Sequence, residues 1–430
     1  MVCLFARTPP DASASGRGHQ GGQQRWEQEW TFARNWWQTH GTCWSGWRRA
    51  RSRQLRRVPA GHLRSIPTRR CSGAEKERIF RKAPLMLAAS CELRRAGDYK
   101  AMDVAGVPVL LVRGQDGTVR TFLNACTHRA AKLAHGCGHA ARLTCPYHAW
   151  SFRLDGALLA VASRGVFGEV DAEESRLVSF PTTERAGLIW AVLDPDASPD
   201  FDAFLGGFDK LIAQFGFENW HHFESRSLPG ANWKLAFDAH LEFYHLPVLH
   251  RATFGPGMSN LAEYFFHGPH QRLGLVTNAG HVLEQDDVAS LATLPEGEWP
   301  ATPLLFGEWI IFPNVSINCF YKGGRGVIIS QVFPGASVGE SVTVQMFLHE
   351  NPPAEDLVAD ARAMSDFLGQ VVGEEDLPMS RGQQEVLESG LLPRVQFGRN
   401  EGGVQHFHEW IDRFVEAPRE ATLAAVMGGE

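Results

Sequence analysis

The chain has 430 residues, 44% of them hydrophobic and 21% charged, with a formal net charge of −6. This length predicts two or three domains with ordinary cores, and the negative charge argues against nucleic-acid binding. The chain contains no apolar run of about 18 residues that could cross a membrane. Its eight irregularly spaced cysteines are not typical of a secreted disulfide scaffold, so we expect a reducing, cytoplasmic location.

Residues 1–72 differ in composition from the rest of the chain. They contain 13 Arg, no Lys, three acidic residues and six of the 13 Trp. Such a step in charge marks a boundary. Three interpretations stay open: a basic arm that binds an acidic partner or nucleic acid, a targeting peptide, or a disordered or non-native segment. We favour the last.

Residues 73–195 are predicted to form a small all-β domain with an N-terminal helix. Asp-Gly pairs at 116–117 and 155–156 lie between apolar runs, which is a strong signal for a β-hairpin. Three apolar runs are long enough for strands: residues 107–112, 119–123 and 187–193. A Pro- and Asp-containing stretch at 194–206 then predicts a linker.

Residues 196–430 mix helix and strand patterns and are assigned to a larger second domain. The predicted helices are residues 232–245, 354–374 and 404–415. The predicted strands are residues 309–321, 326–333 and 341–349. Strands that are followed along the chain by helices indicate an α+β fold.

Two close pairs of metal-binding residue types lie in the predicted β domain. Cys126 and His128 form the first pair, and Cys145 and His148 form the second after a gap of 16 residues. Two Cys and two His could hold a structural zinc, but such zinc sites usually pair Cys with Cys and His with His. Mixed pairs suit an iron–sulfur cluster in which two thiolates hold one iron and two imidazoles the other.

A second group of candidate metal ligands lies in the first predicted helix of the larger domain. Asp238, Glu242 and His245 are spaced so that a continuous helix would place them on one face. We expect Pro247 to break the helix and to let His250 turn back towards His245. Two histidines and a distant carboxylate are the ligand set of non-haem Fe(II) oxygenases. The alternative is that these histidines only cap or pack.

The sequence around both groups resembles the large (alpha) subunit of the Rieske non-haem iron oxygenases, the family of the aromatic-ring-hydroxylating dioxygenases. The resemblance is carried by residues 124–129, 145–152 and 232–250, and it covers roughly residues 73–430. It implies a helix-grip fold, an antiparallel sheet with helices, for the larger domain. It also implies two cofactors, a Rieske [2Fe-2S] cluster held by Cys126, His128, Cys145 and His148, and a mononuclear non-haem Fe(II) held by His245 and His250.

The resemblance assigns further roles. Glu242 matches an acidic residue that links the Rieske histidine of a neighbouring subunit to the iron site, and Glu at this position is more similar to the choline- and carnitine-oxidising relatives. Asp238 matches a position beside the iron that is not a ligand. The third ligand of the family belongs to an acidic pair followed by Gln, here with Gln384 downstream, so we expect Asp376, with Glu375 as its rival.

The resemblance implies an oxygenase component that inserts oxygen from O2 into an aromatic or other hydrophobic substrate. The chain has no nicotinamide, flavin or ferredoxin motif, so electrons should come from a separate reductase, with or without a ferredoxin. A homotrimer is expected, with or without a small β subunit. The alternatives are a mono-oxygenase or demethylase of a quaternary amine such as choline or carnitine, and an electron carrier or zinc protein without oxygenase activity.

Overall fold

The computed structural model describes residues 73–255, 260–276, 307–321, 324–392, 394–418 and 421–428. The interpretations of residues 1–72 lie outside these ranges. The described residues form two compact units. One unit comprises Phe223–Val332 and Thr343–His408, and the other comprises the residues up to His222, Phe333–Val342 and Glu409–Glu430. The predicted division into domains at residues 195 and 196 stays a prediction.

The unit that contains His222 carries three small antiparallel sheets, with strand orders β5-β2-β3-β4-β9, β6-β7-β8 and β1-β11-β10. The strands are β1 Leu85–Ala89, β2 Asp98–Val104, β3 Val107–Arg113, β4 Val119–Leu123, β5 Cys137–His139, β6 Leu143–Thr144, β7 Ser151–Phe152, β8 Leu158–Ala160, β9 Ser179–Phe180, β10 Thr182–Arg185 and β11 Leu188–Ala191. Its helices are short: turns at Lys76–Phe80, Ser90–Glu92, Ala213–Phe215 and Phe217–Asn219, with α1 Arg164–Phe167, α2 Phe201–Leu205 and α3 Phe208–Ile212. The predicted all-β character is confirmed.

The core of this unit reaches the loops that carry the predicted cluster ligands. Leu110, Phe122 and Phe152 are buried, and they belong to the same apolar cluster as Cys126 and Cys145. Burial of such apolar side chains contributes about 1.5–3 kcal/mol each. The core that stabilises the sheets therefore also anchors both cysteines.

The larger sheet has seven strands in the order β12-β18-β17-β16-β15-β14-β13. Its strands are β12 His221–Gly230, β13 Leu261–His267, β14 His270–Val276, β15 Glu308–Ile311, β16 Val315–Tyr321, β17 Arg325–Pro334 and β18 Ser341–His349. The helices that follow β11 and α3 are α4 Trp233–Asp238, α5 Leu246–Leu249, α6 Arg251–Phe254, α7 Glu355–Gln370, α8 Leu377–Glu388, α9 Gly402–Glu416 and α10 Leu423–Gly428, with a π-helical turn at Val371–Asp376. The predicted α+β fold class is confirmed.

Two predicted elements of this unit have different limits in the structure. The strand predicted at 309–321 is a hairpin of β15 and β16, because Pro313 lies between them and proline cannot donate a ladder hydrogen bond. The helix predicted at 354–374 continues through the π-helical turn into α8. Among the described residues, no helix combines the length and apolar character that crossing a membrane requires.

Candidate metal centres

The two loops that begin at Cys126 and Cys145 repeat the same backbone hydrogen bonds. In each loop the cysteine amide donates to the carbonyl five residues later, at 2.8 Å. The amide four residues later, at Ala130 and at Ala149, donates back to the cysteine carbonyl. Both alanines have left-handed backbone angles, with φ of 58° and 54°. A non-glycine residue pays about 1–2 kcal/mol for this conformation, so the surrounding fold holds both loops in one matched shape.

The loops bring the predicted cluster ligands together as a thiol pair and an imidazole pair. Cys126 and Cys145 are buried and not joined as a disulfide. Burial raises the pKa of the Cys126 thiol, and the adjacent Cys145 raises it further. The imidazole centroids of His128 and His148 lie 4.8 Å apart, and the buried Nδ1 of His148 has no hydrogen-bond partner. Two thiols on one side and two imidazoles on the other fit the donor set of a Rieske cluster.

Neighbouring side chains fix the shape of this site. The ring of Trp150 stacks on His128 at 4.9 Å, and the ring of Tyr147 lies 3.7 Å from that of His148. Asn124 lies two residues before Cys126. Its side-chain oxygen accepts from the amide of Leu133 at 2.9 Å. Its own amide donates to the carbonyl of Ala134 at 2.8 Å. Asn124 therefore holds the first loop closed.

The predicted continuous helix over 232–245 is wrong. Helix α4 ends at Asp238, so Asp238, Glu242 and His245 do not share one helical face. The physical reason lies in Glu242, whose carboxylate accepts from the amides of Tyr244 and His245. A side chain that bonds nearby amides in this way competes with the helical ladder and favours a turn.

The expectation that Pro247 breaks the helix is also wrong, although His250 does lie close to His245, with ring centroids 5.1 Å apart. Pro247 occupies the first turn of α5, where its missing N–H costs nothing. The amide of Leu249 donates to the carbonyl of His245 at 2.8 Å, and that of His250 to Leu246 at 3.2 Å. Pro247 thus begins a helical turn between the two histidines instead of breaking one.

Three buried side-chain atoms converge behind this turn. Oδ1 of Asp376 lies 3.0 Å from Nε2 of His250 and 3.7 Å from Nε2 of His245. All three atoms lie within 4.8 Å of one another. None of them has a partner with hydrogen-bond geometry. Buried acceptors without donors are unfavourable, so this arrangement fits a cation bound at its centre.

Two further carboxylates hold the histidines from the other side. Nδ1 of His250 donates to Glu375 at 2.6 Å, and Nδ1 of His245 donates to Glu242. These bonds turn each Nε2 lone pair inward, as in metal sites whose histidines are oriented by a carboxylate. Burial alone would lower the pKa of His250, but the carboxylates of Asp376 and Glu375 raise it. Glu375 therefore supports His250, whereas Asp376 completes the convergent group.

Asp376 and Glu375 face different sides because they are consecutive helical residues. Both belong to the π-helical turn that leads into α8, and side chains of successive helical residues point about 100° apart. Gln384 on α8 accepts from the amide of Asn232, the N-cap of α4, at 3.2 Å. This bond ties the helix that follows Asp376 to the helix that precedes the histidines.

Asp238 lies outside the convergent group. Its carboxylate accepts from Nε2 of His408 on α9 at 3.0 Å. Glu401 lies nearby, and burial, followed by the charges of Glu242 and Asp238, raises the pKa of its carboxyl. The sequence alone assigns no separate role to Glu401.

Comparisons with known proteins match both units. A model of the Rieske [2Fe-2S] domain matches residues 83–167, and a model of the ring-hydroxylating alpha subunit (catalytic domain) matches residues 217–417. The carnitine monooxygenase oxygenase subunit of Acinetobacter baumannii is 33% identical over 356 residues, covering 79% of this chain and 90% of the relative.

Solved structures show the same fold at low sequence identity. A quaternary ammonium Rieske monooxygenase in complex with L-carnitine gives a TM-score of 0.67 at 22% identity, covering 80% of this chain and 91% of that chain. Naphthalene 1,2-dioxygenase from Rhodococcus sp., bound to indole, gives 0.66 at 21% identity, covering 82% and 94%. The chain belongs to the Rieske non-haem iron oxygenases, as an oxygenase (alpha) subunit that uses a Rieske [2Fe-2S] cluster and a mononuclear non-haem iron.

Proposed function

We propose that His245, His250 and Asp376 hold the mononuclear iron and that this chain oxidises a quaternary ammonium compound. The observation that carries the iron site is the convergence of three buried atoms that lack hydrogen-bond partners. Two imidazoles and one carboxylate leave coordination positions open. When bound, the iron supplies O2 activation, with electrons delivered one at a time through the Rieske cluster.

The chain's own residues orient this chemistry. Glu242 and Glu375 hold the two imidazoles by Nδ1, so that both Nε2 atoms stay free to ligate. The remaining oxygen of Glu242 accepts backbone amides, which fixes the carboxylate in place. We propose that Cys126, Cys145, His128 and His148 hold the cluster, with the thiols in the core and the imidazoles towards the surface.

Exposed side chains support contact between copies of this chain, for which we propose a homotrimer. Tyr147 and Val166, near the cluster histidines, are 57% and 92% exposed. Tyr244 and Val248, which flank His245, are 53% and 79% exposed. Apolar side chains of this kind favour an interface between copies. We propose that the cluster histidines of one subunit meet Glu242 of the next, and that a reductase supplies electrons in the cytoplasm, with a ferredoxin or β subunit as optional components.

The substrate class rests on the relatives. A carnitine monooxygenase subunit is 33% identical over 79% of this chain, and the acidic residue beside His245 is Glu. The likeness to a naphthalene dioxygenase shows the fold alone. Aromatic ring hydroxylation, the first expectation from the sequence, is not confirmed. We propose the quaternary-amine alternative in its place.

A substrate panel tests this proposal. The purified chain, reconstituted with iron and sulfide and supplied with a reductase, is offered L-carnitine, choline, glycine betaine, benzoate and naphthalene. We expect O2 uptake coupled to loss of a trimethylammonium compound. Coupled product formation from the aromatic compounds alone would contradict it.

A further inference from the structure

Glu308 on β15 is fully buried, and its two carboxylate oxygens differ in their surroundings. Oε1 accepts three hydrogen bonds: from His240 Nδ1 at 2.8 Å, Ser316 Oγ at 2.6 Å and Asn318 Nδ2 at 3.2 Å. Oε2 is buried and has no hydrogen-bond partner. A carboxylate accepts at both oxygens when it can, so the bare Oε2 calls for an explanation.

Glu308 faces the segment that carries the iron-site residues. His240, which bonds Glu308, lies in the turn between α4 and His245. Helix α9 lies against both this turn and the same face of the sheet, at Gly403. A Cβ atom on Gly403 would lie 2.3 Å from the carbonyl oxygen of Leu241 and 2.9 Å from Oε1 of Gln271. The side chain of Glu308 therefore extends from the sheet towards the turn that carries Glu242.

Other buried polar side chains lie on this face of the sheet. Register pairs Glu308 with Asn318 on β16, and Ser316 with Ser330 on β17. Gln345 on β18 donates to Ser330 at 3.3 Å, and its Oε1 has no hydrogen-bond partner. Buried polar acceptors that lack donors are costly in an apolar core.

We propose that Glu308 is the anionic group that binds the cationic head group of the substrate, an inference that rests on the proposed function. A quaternary ammonium group has no N–H and cannot donate a hydrogen bond. It is attracted by negative charge, and an oxygen whose lone pairs no donor occupies, as in the case of Oε2, can face it directly. Ser316 and Asn318 bring no charge, so their bonds orient the carboxylate without neutralising it.

His240 has a separate part in this arrangement. Its bond to Oε1 holds the Glu308 carboxylate and connects it to the segment that holds Glu242. We assign His240 as a positioning residue, because it acts through Glu308 and does not itself bind the substrate.

Carbon isosteres separate charge from shape. L-carnitine, choline and glycine betaine are each paired with the analogue in which carbon replaces the quaternary nitrogen, so that the head group carries no charge. Dissociation constants are measured by anaerobic calorimetry on the iron-loaded enzyme. We expect the wild type to prefer at least one cation over its isostere by about tenfold or more, which corresponds to about 1.4 kcal/mol.

Glu308→Gln removes the charge but keeps the size of the side chain. We expect this variant to lose the preference for the cation, with little change in the affinity for the isostere. Ser316→Ala is the matched control, since it removes one hydrogen bond to Oε1 and leaves the charge, so it should keep the preference. Thermal melting and iron content verify folding, and Glu308→Asp, which retains the charge, should keep part of the preference.

The outcomes separate the role of Glu308 from the proposed function. A folded Glu308→Gln enzyme that still prefers the cation overturns the role of Glu308 but leaves the proposed function intact. If Glu308→Gln does not fold, Glu308→Asp decides the question. A partial loss of the preference in Glu308→Asp supports the role when Ser316→Ala retains the full preference, and an unaltered preference in Glu308→Asp counts against it. A wild type that neither binds nor oxidises any of the three cations overturns both proposals.

Discussion

The two candidate metal centres are built in opposite ways. The cluster site uses two loops with the same backbone hydrogen bonds, each of which supplies one cysteine and one histidine within a few residues. The iron site combines two histidines from one turn with Asp376, which lies more than a hundred residues further along the chain. The first site is a local structure that is used twice, whereas the second exists only when distant helices pack correctly.

This difference predicts different sensitivities. Local hydrogen bonds and the apolar core around Cys126 and Cys145 should keep the cluster loops in place when other parts of the chain are altered. The iron site depends on the packing of α4, α8 and α9, so distant substitutions should affect it first. The predictions that follow test this contrast, from the largest expected effect to the smallest.

Asp376→Ala should have the largest effect on activity. It removes the carboxylate that faces both Nε2 atoms, so we expect oxygenation to fall by at least about 100-fold while the visible absorption of the cluster is unchanged. Glu375→Gln is the matched control on the adjacent residue. It weakens only the orientation of His250, and we expect a loss of about tenfold. Equal losses in the two variants would contradict the assignment.

Glu242→Gln should uncouple the centres without emptying either of them. Both irons should remain, but product formed per reductant consumed should fall by about tenfold, because the carboxylate that orients His245 is lost. Glu401→Gln changes a nearby carboxylate that accepts from the amide of Gly398 and, among the described residues, makes no hydrogen bond to either histidine, so this variant should couple normally. Full coupling in Glu242→Gln would end the bridging role.

Gly403→Ala tests the dependence on distant packing. A Cβ atom at this position would meet the carbonyl of Leu241 at 2.3 Å, whereas at Gly402 the nearest atom lies 3.4 Å away on Tyr264. We expect Gly403→Ala to destabilise the protein by about 1–3 kcal/mol and to weaken iron binding. Gly402→Ala should be close to neutral. Thermal melting and iron content measure both, and equal effects would argue against the close approach of α9.

Glu401→Gln should give the smallest effect, and one that depends on pH. The folded state raises the pKa of Glu401 above its ordinary value of 4.5, so the wild type loses stability as pH rises through the folded pKa. The variant lacks this loss and should be more stable at pH 7 than the wild type. The gain should stay below about 1 kcal/mol, because solvent screens a half-buried carboxylate. It should vanish near pH 4, and a gain that persists there would contradict the cause.

The contrast between the centres also explains what the sequence could predict. The cluster ligands stand out because their close pairs are written in consecutive residues. The left-handed backbone at Ala130 and Ala149 could not be predicted, because alanine rarely adopts it without tertiary constraint. The sequence also left Asp376 and Glu375 as rivals, since only the packed helix shows which of the two neighbours faces the histidines.

Two errors near the iron site have one origin. The helical spacing of residues 232–245 predicts one continuous helix. In the structure Glu242 accepts from backbone amides of its own turn, and the helix ends at Asp238. Pro247 therefore has no continuous helix to interrupt, and it lies in the first turn of α5. The sequence gives no sign of Glu308, because its surroundings depend on the sheet face and the strand register and on no local motif.

The central claim is that each chain holds two separate iron centres, one of which requires Asp376. Iron and acid-labile sulfide per chain, measured together in the wild type and in Asp376→Ala, test it most directly. We expect about three irons and two sulfides in the wild type, and about two irons and two sulfides in the variant. A variant that retains the third iron, or that loses sulfide together with it, would contradict the account.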